Sequence, residues 1–164
     1  MDRIQVKDKK ELEKLINNTI CEKGINVDLN FIDTSLIINM DSLFYDSCFN
    51  GDISRWDVSG VKTMRDLFRD SYFNGDISKW NTSKVKDMSG MFADSKFNQD
   101  IGGWNVSRVT NMCMMFNGSE FNQEIRNWDI ASLDDVNFMF SDSPFNKNLG
   151  KWHLQRPDLD LDYY

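Results

Sequence analysis

The side chains of this chain that could do chemistry are mostly carboxylates, and they recur. Asp52, Asp76, Asp100 and Glu124 stand 24 residues apart. Brought side by side, they would repel one another or share a cation, and calcium is the ion such a column suggests. One carboxylate per unit falls short of the roughly six to eight oxygens Ca²⁺ takes, and Arg55, Lys62 and Lys79 stand near enough to balance the charge. A solvated, cation-balanced face is the expected reading. Pairs of acids for glycoside hydrolysis could be drawn from any such column, which makes them uninformative. His153 is the only histidine, so no nucleophile, base and orienting group can be assembled around it. Cys21, Cys48 and Cys113 are odd in number, with no CxxC pair and no Cys/His cluster of zinc spacing, and read as reduced thiols. No catalytic residue, metal ligand or cofactor is assigned, and a non-enzymatic chain is expected.

The same period governs the apolar residues. Phe49, Phe73, Phe97, Phe121 and Phe145 recur every 24 residues, as do Trp56, Trp80, Trp104, Trp128 and Trp152. Phe44, Phe68, Phe92, Phe116 and Phe140 keep the interval, and so do Asn50, Asn74, Asn98, Asn122 and Asn146. The unit reads FNxDIxxW[DN]VSxVxxMxx[LM]FxDSx. It holds too few apolar residues to fold alone, so each copy must bury its apolar face against its neighbours, the logic of a repeat solenoid. The repeated rings are expected to be core, not a ligand platform: Trp56, Trp80, Trp104, Trp128 and Trp152, with Phe68, Phe92, Phe116 and Phe140.

Several elements must position these columns. Ile53, Trp56 and Val58 suit a short strand stacked in parallel with its copies. Val61, Met64, Leu67 and Phe68 have the spacing of a helical or 3₁₀ turn capped by Ser59, and a second short strand over V-x-x-M is the competing assignment. The asparagine column is expected to satisfy turn backbone through buried amides. Serines at 47, 71, 95, 119 and 143 read as turn residues. Residues 25–48 are a divergent first unit, with Leu29, Asp33, Ile37, Met40 and Phe44 in register. Residues 1–24 read as an N-terminal capping helix, with Leu12, Leu15, Ile16 and Ile20 at helical spacing, Asp8 as cap and Gly24 beyond the end. The organisation is one domain: cap, a 25–153 stack of one degenerate and about five regular units, and a 154–164 tail or cap. In the last segment Leu159, Leu161 and Tyr163 alternate with Asp in a strand-like pattern.

Composition narrows the function classes. The chain has 164 residues, a net charge of −7 and 13% aromatic residues. Lys and Arg are not gathered into a run that phosphate neutralisation would need, so nucleic acid is not an expected partner. No stretch is apolar enough to insert in a membrane, and the first residues carry no signal-peptide core, which favours an intracellular start. The sequons at Asn81, Asn105 and Asn117 read as repeat composition.

The string F-N-x-D-I-S-x-W-[DN]-V-S-x-V-x-x-M-x-x-M-F closely resembles the BspA-type leucine-rich-repeat-like family of bacterial surface and lipoprotein repeats, over roughly residues 25–153. The resemblance implies a right-handed, leucine-rich-repeat-like coil with a role in adhesion or protein contact, and a cell-surface location. It supplies no catalytic residue. The expected function is a protein-interaction scaffold whose partner is another protein, with a monomer favoured. An acidic decoy imitating nucleic acid and a glycan-binding adhesin are the alternatives. The contact residues come from the two positions between Met and the [LM]F pair. These hold Arg65-Asp66 and Ser89-Gly90, then Cys113-Met114 and Asn137-Phe138. Met114 and Phe138, with Cys113 and Asp66, are the candidate contact site, and packing beneath the C-terminal tail or a wider local core is the competing reading.

Overall fold

Each unit opens with two turns nucleated by short polar side chains. In the computed structural model, which describes residues 3–159, the Asp52 carboxylate accepts the Ser54 N–H at 2.8 Å and Asp57 accepts the Ser59 N–H at 2.9 Å. Within these turns the Trp56 N–H donates to the Ile53 carbonyl and the Val61 N–H to the Val58 carbonyl. Side chains that bond their own backbone two residues on compete with both helix and strand. The strand expected over Ile53–Val58 is therefore replaced by turns, and Ser59 serves Asp57 instead of capping a helix. Between Gly24 and Leu149 no described residue is helical, which corrects the helical turn expected over Val61–Phe68.

The V-x-x-M segment, the alternative strand, joins the units. Thr63 bridges in parallel to Asn39 on one side and Asp87 on the other, and the series continues through Asn111 to Asp135. The N–H groups of Met64, Asp66, Phe68 and Asp70 each donate at 2.9 Å to the next unit, to the carbonyls of Asp87, Ser89, Met91 and Ala93. Between them, Leu67 and Arg69 close turns onto Met64 and Asp66. The backbone is left-handed at Asp66 and Asp70, with φ of 51° and 55°, and at the equivalent positions of the units on either side. The result is a bent ladder, too kinked to form a regular strand.

Aromatic columns fill the interior. Phe44, Phe68, Phe92, Phe116 and Phe140 stack with centroids 5.4 to 5.8 Å apart. Phe49 to Phe145 form a second stack at 6.1 to 6.4 Å. The tryptophans are at most 4% exposed. Each indole N–H donates to a backbone carbonyl of the preceding unit: Trp56 to Leu29, Trp80 to Ile53, Trp104 to Ile77, Trp128 to Ile101 and Trp152 to Ile125.

Two different structures close the ends. At the first, strand β1 (Ile4–Gln5) pairs in parallel with β2 (Ile32–Asp33) of the divergent unit, an addition to the helix expected over residues 1–24. Helix α1 (Lys9–Lys23) follows, capped by the Asp8 carboxylate on the Glu11 N–H and stopped at Gly24, with φ of 89°. Leu12 and Ile16 are buried beneath it. At the far end a short helix, α2 (Gly150–Gln155), carries Trp152. Gln155 accepts the Ile130 N–H and donates to the Trp128 carbonyl, and Arg156 donates to the Leu133 carbonyl. Residues 154–156 are thus fastened to the stack. Leu159 packs against the core, while Leu161 and Tyr163 lie outside the described residues.

Candidate functional site

Three of the four residues of the acidic column are consumed by local structure, and Glu124 is exposed without such a turn bond. Asp52, Asp76 and Asp100 accept the N–H two residues on, from Ser54, Ser78 and Gly102. The Ser78 backbone N–H and hydroxyl hold the Asp76 carboxyl below the usual carboxylate range. At Asp52 burial pushes the pKa up, but the Ser54 N–H and the Asn30 amide outweigh it and the net shift is downward. Among the described residues no three His, Cys, Asp or Glu side chains gather around a common point for a metal.

The asparagine column forms a ladder of its own. Asn50, Asn74, Asn98 and Asn122 each accept, through the side-chain carbonyl, the backbone N–H of the asparagine one unit later. These amides are exposed or half-buried, so the burial expected of them is not found. Serines 95, 119 and 143 accept the Phe N–H two residues on while donating to the Phe carbonyl three residues back.

Asp66, Met114 and Phe138 fall in a single column with Ser42 and Gly90. Neighbours in it are joined through the ladder: the Gly90 N–H donates to the Cys113 carbonyl and the Met114 N–H to the Asn137 carbonyl. All five residues are left-handed, with φ from 51° to 60°. Ser, Asp and Gly suit that conformation, which costs an ordinary L-residue roughly 1–2 kcal/mol. The composition Ser42, Asp66, Gly90 was the signal for it in the sequence. Met114 and Phe138 break the pattern and stay at the surface, 37% and 50% exposed.

Beside this column lies a shallow groove of about 190 Å³ lined by Asp66, Arg69, Ser89, Gly90, Cys113 and Met114. Gly90 makes room there, because a Cβ at that position would meet the Asp66 carboxylate at 2.2 Å and force that side chain to turn aside. Asp66 in turn pairs with Arg69 at 3.5 Å. Cys113 is half-buried, and its thiol is pushed above the usual range by burial, then by Asp135 and Asp87. Three of the four candidate contact residues, Asp66, Cys113 and Met114, thus share one groove, and Phe138 continues their column.

Among the described residues no helix is long and apolar enough to cross a membrane. No curated protein and no solved structure matches the chain. A family model described as "Mycoplasma protein of unknown function, DUF285" matches it twice, over residues 10–96 and 93–159. Those two stretches run from the helix at one end of the stack to the short helix at the other, and by them the chain belongs to the family of Mycoplasma proteins of unknown function, DUF285.

Proposed function

We propose that the stacked units form a right-handed, leucine-rich-repeat-like solenoid of the BspA type that serves as a non-enzymatic scaffold for another protein. Met114 and Phe138 mark its contact site. The observation that carries this reading is their backbone and their exposure: two bulky apolar residues hold a left-handed conformation, at φ of 56° and 57°, and keep 37% and 50% of their surface in solvent. Strain of this kind, of order 1–3 kcal/mol, concentrates where function demands a particular side chain. Methionine and phenylalanine on adjacent units offer an adaptable thioether beside a flat ring, a combination suited to an apolar patch on a protein.

The test separates function from stability. Met114→Gly and Phe138→Gly remove the side chains and relieve the strain while giving up their partial burial, so the double variant should keep the parent's stability to within about 1 kcal/mol per site. Proteins captured by the intact chain are compared with those captured by the variant. Loss of a specific captured protein alongside stability within that range supports the site. Identical capture by both chains sinks it. An acidic decoy predicts that capture collapses with rising salt, whereas an apolar contact retains it.

A further inference from the structure

Val61, Val85 and Val109 are buried, so the residues on either side of each point outward. Those flanking positions form two columns along the stack. In one column the backbone hydrogen bonds run from unit to unit without a gap: the Lys62 N–H donates to the Ile38 carbonyl, Lys86 to Lys62, Thr110 to Lys86 and Asp134 to Thr110. The other column holds Leu36, Gly60, Lys84, Arg108 and Ser132. Lys62, Lys84, Lys86 and Arg108 are therefore neighbours on three successive units, each unit about 4.8 Å from the next. All four are exposed.

This cluster is unbalanced in a chain whose net charge is −7. Arg55, Arg65, Arg69, Lys96 and Arg156 each pair with a carboxylate. Among the described residues none of the four clustered cations does. The acids nearest in sequence bond neutral donors and make no ion pair with these cations: Asp57 accepts the Ser59 N–H, and Asp87 accepts the Ser89 N–H and hydroxyl. Asp134 stands at the far end of the column, beyond Thr110. Like charges held this close repel, and repulsion without internal compensation favours an anionic occupant.

The same columns change character at the first unit, where they hold Leu36 and Ile38, 52% and 57% exposed. A groove of about 240 Å³ opens there, lined by Leu36 and Ile38 together with Lys7, Asp8 and Lys9, the last paired with Glu13. We propose that this stripe docks an acidic polypeptide segment, its carboxylates on Lys62, Lys84, Lys86 and Arg108 and an apolar residue in the groove at Leu36 and Ile38. The surface is separate from Met114 and Phe138 and does not depend on that site. An extended segment fits better than a lipid bilayer or a polynucleotide. A bilayer presents a plane of negative charge to the whole acidic molecule, whereas a segment two columns wide meets only the stripe, since charges beyond about 8 Å are screened. Leucine and isoleucine also offer no ring on which a base could stack.

The experiment uses the full chain and a fluorescent synthetic peptide of leucines followed by glutamates, with fluorescence anisotropy as the readout. A peptide of glutamates alone, phosphatidylserine-containing vesicles and a single-stranded DNA oligonucleotide serve as comparisons. Saturable binding of the leucine–glutamate peptide is expected, weakened at least about tenfold when Lys62, Lys84, Lys86 and Arg108 are all replaced by Gln, a loss of about 1.4 kcal/mol. Leu36→Ser with Ile38→Ser should reduce its affinity to that of the glutamate-only peptide. These are surface changes, so thermal melting should stay at the parent value. If the glutamine variant fails to fold, a salt titration of the intact chain replaces it, and affinity should fall steeply between about 0.05 and 0.3 M. Absence of saturable peptide binding, binding indifferent to the glutamine changes or to salt, or tighter binding to vesicles or DNA overturns the proposal.

Discussion

Each tryptophan does two things that a phenylalanine in its place could not do together. The ring fills the interior beside the phenylalanine stacks, and its N–H gives a second donor to a turn carbonyl of the previous unit, a hydrogen bond between units. The two roles separate experimentally. Trp80→Phe keeps most of the apolar volume but removes one of the two donors to the Ile53 carbonyl, which keeps the Trp56 N–H, at a cost of about 0.5–1.5 kcal/mol for one lost hydrogen bond. Trp80→Ala adds a cavity and should cost about 3–5 kcal/mol. Denaturant unfolding of both variants checks the order. If Trp80→Phe matches the parent, the indole bond contributes nothing and packing alone selects the residue. The left-handed column carries a related lesson: Asp66 and Gly90 suit their backbone, while Met114 and Phe138 hold it against their own preference.

At the scale of elements, the two ends solve an edge problem that the regular units do not face. A stack of parallel ladders exposes unpaired backbone and apolar side chains at its first unit unless something covers them. Here β1 pairs with β2, so that the Ile4 N–H reaches the Phe31 carbonyl and the Val6 N–H reaches Asp33, while α1 lays Leu12 and Ile16 over the core. Removing residues 1–24 should therefore uncover Leu29, Ile32 and Ile37 and produce aggregates or higher oligomers, visible by light scattering. A soluble monomer with the parent's melting temperature would mean that the stack closes without its cap. The other end relies on hydrogen bonds from Gln155 and Arg156 to the preceding unit.

For the molecule as a whole, the turn carboxylates tie the fold to pH. Asp33, Asp52 and Asp76 all titrate below the ordinary value of 3.8 in the folded state. Asp158 is lowered to about 2 by its bonds with Arg156. A carboxyl whose pKa is depressed by folding contributes stability in full above its unfolded value, and that contribution is lost as pH falls through the folded value. The melting temperature should thus hold steady from neutral pH down to about 5 and decline progressively below about 4. Calorimetry across this range checks it. A decline that begins near pH 6 would require a different titrating group. The three depressed turn carboxylates lie in successive units near the β1 end, so acid should loosen that part of the stack first.

The sequence by itself determined the period, the membership of the core and the location of the caps. A strict interval of 24 leaves little freedom over which residues of successive units meet, since Phe68 must fall beside Phe44 and Phe92 once units lie side by side. Asp8 and Gly24 likewise act through backbone within their own helix, so local chemistry sufficed. What only the tertiary structure decided was the backbone inside each unit. The apolar spacing in Val61–Phe68 fits a helical turn as well as a ladder, and the choice depends on hydrogen bonds to residues 23 or 24 positions away. The Asp-x-Ser steps carried a readable turn signal, but β-branched and aromatic neighbours pointed toward strand. The grouping of Lys62, Lys84, Lys86 and Arg108 was hidden for the same reason. They are spread through the chain, and become neighbours only when successive units pair across the ladder.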